Sequence, residues 1–138
     1  MDRLFLDANV LFSAAYRPDP KLLQLWKLKN VALFSSHYAL EEARINLAGE
    51  DQRMRLNKLS RTIHLLEASR AILPRGISLP EKDVPILAAA IEAEATHLLT
   101  GDLKHFGPYL GKKIEGVAII LPGDYLRMRS EHHRRPSG

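Results

Sequence analysis

The chain of 138 residues contains no cysteine, which removes disulfide bonds, thiolate zinc sites and a cysteine nucleophile together and implies a cytoplasmic setting. No segment reaches the ~20 apolar residues that a membrane span needs, so no membrane partner is expected. Leu4 to Ala15 does not read as a secretory leader, because Asp7 and Asn9 interrupt it and no extended positive region precedes it. A glycine-rich phosphate loop is missing, which argues against a nucleoside-triphosphate enzyme. Six histidines are scattered without the His-Glu-x-x-His pairing of a zinc hydrolase. Ser13, Ser35 and Ser36 lack a Gly-x-Ser-x-Gly elbow and a fitting order of His and Asp.

What is present is enough for a globular core: 46% of the residues are hydrophobic, which excludes a disordered chain. The length suits one domain over residues 1–130, followed by a basic, poorly ordered tail over 131–138. Twenty Lys and Arg stand against sixteen Asp and Glu, so the exterior is basic and suits a polyanionic partner.

Against that basic background, acidic residues recur where hydrophobic runs stop. Asp7 closes Leu4-Phe5-Leu6, Asp102 follows Leu98-Leu99-Thr100-Gly101, Asp83 opens the alanine-rich run from Val84 to Ala95, and Glu41-Glu42 lies just beyond Val31 to Phe34. The runs at Arg3 to Leu6, Val31 to Phe34, Thr96 to Thr100 and Val117 to Leu121 read as strands buried on both faces, with Ala71-Ile72-Leu73 a weaker third strand. Helices are expected over Asn9 to Ala15, over Lys21 to Lys29, after a cap at Ser35 or Ser36 with Glu41 and Glu42 in mid-helix, over Glu50 to Arg70 and from Asp83 to Ala95, with a short helix or turn over Leu103 to Tyr109 and a last short helix over Tyr125 to Arg129. Leu56, Leu59, Ile63 and Leu66 supply one apolar stripe for the fourth of these. Alternating strands and helices give an α/β fold with a mainly parallel sheet.

Each acid alone has a structural explanation. Asp7, Asp83 and Asp102 stand at helix starts, where a carboxylate accepts backbone N–H bonds, and Glu41 and Glu42 suit a helix surface. Their joint placement points further. With strands one and four adjacent where the winding reverses, the acids gather at the crevice where open α/β sheets bind ligands. Clustered carboxylates need a cation, and oxygen-only ligands suit Mg²⁺ or Mn²⁺, metals of phosphodiester chemistry.

These segments together resemble the PIN domain, a metal-dependent nuclease family that includes ribonuclease toxins of bacterial toxin-antitoxin pairs. The resemblance rests on Leu6-Asp7-Ala8-Asn9-Val10-Leu11, on Ser36 followed by Glu42, on Asp83 with Ile86-Leu87-Ala88-Ala89-Ala90 behind it, and on Leu98-Leu99-Thr100-Gly101-Asp102 with Leu103-Lys104-His105-Phe106. It implies a three-layer α/β/α sandwich with strand order about 3-2-1-4-5, and an endoribonuclease whose Mg²⁺ or Mn²⁺ is held by Asp7, Glu42, Asp83 and Asp102. Asn9 and Thr100 match positions that support the site through hydrogen bonds. The choice of Glu42 over Glu41 comes from the resemblance alone, since at ~100° per residue the two flank Ile45 almost symmetrically.

Lys104 and His105 are candidates for touching phosphate, or else turn residues beside the anchor Phe106. Arg53, Arg55, Lys58 and Arg61 could line an RNA path or form the outer face of an amphipathic helix. Few aromatics are available to stack bases, so binding should rest on Lys and Arg contacts to single-stranded RNA or a structured loop. An antitoxin and a second copy of the chain in a homodimer are the protein partners the resemblance admits. Two rivals stand beside this reading: a non-catalytic PIN-like module that binds RNA or protein, and an aspartyl phosphatase. The second is weakened by Asn9, which stands where that chemistry places another Asp.

Overall fold

Leu4, Phe5 and Leu6 are successive residues, point to alternate sides of a strand, and are all fully buried. A strand so placed must have a layer on each face, which makes the fold a three-layer one. It is β1 (Asp2–Leu6) of a computed structural model that describes residues 1–67 and 72–134. The other strands are β2 (Val31–Ser36), β3 (His64–Leu66), β4 (His97–Leu99), β5 (Lys113–Ile114) and β6 (Val117–Ile120). Between and after them run α1 (Ala8–Tyr16), α2 (Pro20–Leu23), α3 (His37–Ile45), α4 (Glu50–Ser60), α5 (Val84–Glu92), α6 (Leu103–Phe106) and α7 (Pro122–Arg134).

The sheet order is β3-β2-β1-β4-β6-β5, parallel throughout except for the β5/β6 pair. The expected order 3-2-1-4-5 is therefore present, with one short antiparallel strand added at the edge. That strand is the first arm of a hairpin turned by Glu115 and Gly116, whose φ angles of 50° and 83° both lie in the left-handed region. Helix α5 buries Ile86, Leu87, Ala88, Ala89 and Ala90. No helix among the described residues is long and apolar enough to cross a membrane.

Several expected elements differ. The helix expected over Glu50 to Arg70 stops at Ser60, and Leu66 lies in β3 rather than on a helical stripe. The indole N–H of Trp26 takes the carbonyl of Leu59 at 3.0 Å, and the hydroxyl of Ser60 takes that of Asn57 at 2.8 Å, so side chains satisfy the helix end. The chain is then free to pair with β2, His64 opposite Phe34. The third strand is accordingly not Ala71-Ile72-Leu73: Ile72 and Leu73 are not in a strand, and Ala71 lies outside the described residues.

At the C-terminal end, α7 extends through Arg134, so residues 131–134 are helical and only 135–138 of the expected tail lie outside the described residues. Its anchor is Tyr125, which is 1% exposed and donates its hydroxyl to Asp2 at 2.6 Å. Lys21 to Lys29 divides into α2 and a separate 3-10 turn over Gln24–Lys27.

Candidate metal centre

The site begins with strand register. Leu6 of β1 lies opposite Leu99 of β4, so the residues that follow, Asp7 and Thr100, leave the sheet side by side at its carboxyl edge. The Asp7 amide donates to Leu99 at 3.0 Å and holds that register one residue past the strand. Asp7 then divides its carboxylate. Oδ1 accepts the Ala8 amide at 2.7 Å and caps α1, while Oδ2 accepts the Thr100 hydroxyl at 2.8 Å and the Asn9 amide at 2.9 Å.

Thr100 is fully buried and its Oγ1 is a hub: besides donating to Asp7 it accepts the Asp102 amide at 3.1 Å and Asn9 Nδ2 at 3.3 Å. Asn9 returns the link by accepting the Gly101 amide on Oδ1 at 2.8 Å. The Asp-x-Asn and Thr-Gly-Asp segments are thus stitched together by side chains. Thr100→Val keeps the shape but strands the Asn9 and Asp102 donors, and is expected to cost about 2 kcal/mol. Urea unfolding checks this; a variant as stable as the parent would mean the hydroxyl is idle.

Asp83 reaches the same place from the other side. It ends a 3-10 turn over Glu81–Asp83 and is 7% exposed, yet its side chain makes no capping bond to α5, contrary to the expectation that it caps that helix. Its Oδ2 is buried without a hydrogen-bond partner. Asp102, by contrast, caps α6 by accepting the His105 amide on Oδ1 at 3.0 Å. Nδ1 of His105 lies 2.8 Å from Asp83 Oδ2 and 2.8 Å from Asp102 Oδ2, but neither contact has hydrogen-bond alignment.

On α3, Ala39 and Ala43 define the buried face, and Glu42 stands beside Ala43. Glu42 lines a cleft of about 460 Å³ together with Asp7, Asn9, Lys82, Asp83 and Asp102. Glu41 points away and pairs with Arg44, whose Nε donates at 2.9 Å. The structure therefore brings Asp7, Asn9, Glu42, Asp83 and Asp102 onto one cleft, with Thr100 behind it and His105 against two of its acids. Lys104 is exposed and is not among the residues lining the cleft. Arg53 donates to the Leu47 carbonyl at 2.7 Å, and Arg55 binds the Ala15 carbonyl, so both tie α4 to its neighbours.

Lys82 and Tyr38 went unread in the sequence. Lys82 adjoins Asp83 and lines the cleft. Tyr38 lies one helical turn before Glu42 and donates its hydroxyl to the Lys82 carbonyl at 2.8 Å. Helical spacing from Glu42 was the signal available for Tyr38, and adjacency to Asp83 for Lys82.

The electrostatics follow from burial. Burial pushes the Asp7 carboxyl up to about 6; the Thr100 and Ala8 hydrogen bonds oppose the shift and the Asp83 charge adds to it. Asp83 is raised as well, by burial first, with His105 opposing and Asp102 adding. Tyr38 is raised by burial and then by the charges of Glu42, Asp83 and Asp7. A buried acidic cluster with one orphaned oxygen fits a divalent cation, whose charge would relieve the repulsion and whose coordination would use that oxygen.

The comparisons with known proteins agree with this architecture. No curated protein matches the chain in sequence. Among solved structures it is similar to VapBC2 from Rickettsia felis bound to a DNA fragment from their promoter, with TM-score 0.66, 18% identity, and 85% of this chain and 96% of that one covered. It is also similar to VapBC-1 from nontypeable Haemophilus influenzae, with TM-score 0.60, 16% identity, and 87% and 98% coverage. FitAcB from Neisseria gonorrhoeae is similar too, with TM-score 0.58, 19% identity, and 86% and 97% coverage. Residues 3–104 match the PIN domain, and the chain belongs to that family, whose members are generally nucleases.

Proposed function

We propose that the chain is a metal-dependent endoribonuclease that hydrolyses phosphodiester bonds in single-stranded RNA or exposed loops. The observation that carries this reading is the convergence of Asp7, Glu42, Asp83 and Asp102 on one cleft, with a buried Asp83 oxygen left without a partner. Asp7, Asp83 and Asp102 would hold Mg²⁺ or Mn²⁺, with Glu42 joining them directly or through water. When bound there, such a cation supplies charge that neutralises a phosphodiester and acidity that makes water a nucleophile near neutral pH.

The protein's own share is placement. Thr100 and Asn9 each donate a side-chain hydrogen bond to the Asp7 carboxylate and are joined to each other by a third, which fixes how that carboxylate faces the cleft. Lys82 puts a cation on the cleft wall, where it can attract the RNA backbone. A role as the toxin of a toxin-antitoxin pair is supported by the likeness to VapBC2, VapBC-1 and FitAcB, and gives the chain an antitoxin as its protein partner.

The test is cleavage of a single-stranded RNA by the purified protein in Mn²⁺, in Mg²⁺ and in excess chelator. Cleavage should need the cation and should fall at least about tenfold in Glu42→Gln, while Glu41→Gln stays near the parent rate. Cleavage that survives chelation sinks the metal-dependent reading. RNA binding without cleavage under every cation would instead identify a non-catalytic module.

A further inference from the structure

We infer that His105 is a nitrogen ligand of the acidic centre and biases it toward a transition-metal cation over Mg²⁺. The inference rests on the metal-centre reading above. His105 was a candidate for contacting phosphate, yet its ring faces inward: Nδ1 is buried and 2.8 Å from one oxygen of Asp83 and from one of Asp102. Local structure imposes this orientation. The His105 amide is held by Asp102 Oδ1 at 3.0 Å, and Phe106, fully buried, anchors the next residue, so the ring folds back over the carboxylates.

Two properties of the contact point to a shared cation. Nδ1 and Asp83 Oδ2 both lie buried without a hydrogen bond, and two buried polar atoms that meet without one carry a penalty unless something accepts both lone pairs. Their spacing also suits ligands of a common ion, because neighbouring donors at octahedral bond lengths of about 2.1 Å lie about 3 Å apart. Asp83, Asp102 and His105 together offer three donor atoms within 4.8 Å of one another. Mg²⁺ prefers oxygen and retains its waters, whereas imidazole nitrogen favours first-row transition metals, so this third donor changes the selectivity of the centre.

A rival account of the same geometry makes His105 an imidazolium counter-charge that holds the acids together and competes with metal. The two differ in sign. The full chain, cleared of metal by chelation, is titrated with Mn²⁺ and with Mg²⁺, and the Mn²⁺-loaded protein is read by electron spin-echo modulation for coupling to imidazole nitrogen. Ligation by His105 predicts nitrogen coupling in the parent, its loss in His105→Asn, and a fall of about tenfold or more in the preference for Mn²⁺ over Mg²⁺. Coupling that is absent in the parent, or that survives in His105→Asn, overturns the inference. So does tighter binding of both cations by His105→Asn, the mark of a lost counter-charge. If the parent binds no Mn²⁺ at all, the metal-centre reading falls together with this one. Circular dichroism checks that the variant is folded, and absence of coupling in the parent overturns the inference whatever the variant does.

Discussion

Asp83→Asn is expected to lower RNA cleavage by about 10³-fold while leaving the metal-free protein at least as stable as the parent near pH 8. The two effects come from one cause. Asp83 is buried, caps no helix, and has an oxygen that no donor satisfies. Its carboxylate is held near Asp7 and Asp102: the Asp102 charge adds to the burial that raises its proton affinity, and its own charge adds to the burial that raises that of Asp7. An amide of the same shape removes that repulsion, and with it the charge a cation needs. Initial rates on single-stranded RNA and melting curves in chelator measure the two parts separately. Parental activity would show that the charge is not used, and a large drop in Tm would make Asp83 a structural residue.

The second large effect is stabilisation by metal, and it depends on pH. Mn²⁺ at 100 times its Kd contributes about 2.7 kcal/mol, which for a domain of this size raises Tm by roughly 10 °C. The same ionic strength of Na⁺ should do almost nothing. The sign of the pH dependence follows from Asp7, whose folded-state pKa of about 6 lies above the ordinary 3.8. The protonated form is favoured in the folded state, so the contribution of Asp7 is fully present below about pH 4 and is lost as pH rises through about 6. The loss amounts to about 3 kcal/mol in the absence of metal. Protons and Mn²⁺ compete for the same oxygens, so the Mn²⁺ shift in Tm should be full near pH 8 and small near pH 5. A Tm that ignores Mn²⁺ at both values counts against a cation site.

How far the sequence reaches depends on which forces set each element. The central strands were legible because burial on both faces writes an unbroken apolar run, as in Leu4-Phe5-Leu6 and Leu98-Leu99. Asp7 and Asp102 were legible because they end those runs. β3 was not: Leu56, Leu59, Ile63 and Leu66 satisfy helical spacing, and only the distant pairing of His64 with Phe34 makes the segment a strand. The edge hairpin was hidden by Glu115, a residue that turns of this type seldom use.

The Glu41/Glu42 choice shows a subtler limit. Measured from Ile45 the two acids are equivalent, but Ile45 is 63% exposed and does not mark the buried face. That face is set by Ala39 and Ala43, whose small side chains carry little weight in a hydrophobic pattern although they allow close helix packing. His105 was hidden differently. Nothing in its spacing tells an inward ring from an outward one until the Asp102 cap fixes the turn.

The hydrogen bond from Thr100 to Asp7 joins residues 93 positions apart. During synthesis the two halves of the centre are therefore made far apart in time. A growing chain that has emerged only as far as Glu42 carries two of the four acids and none of the Thr100-Gly101-Asp102 stitch. The cleft gains its Asp102 side only when the strand made late inserts beside the strand made first, so any chemistry it supports waits on the last step of folding and is closed to a chain still under construction.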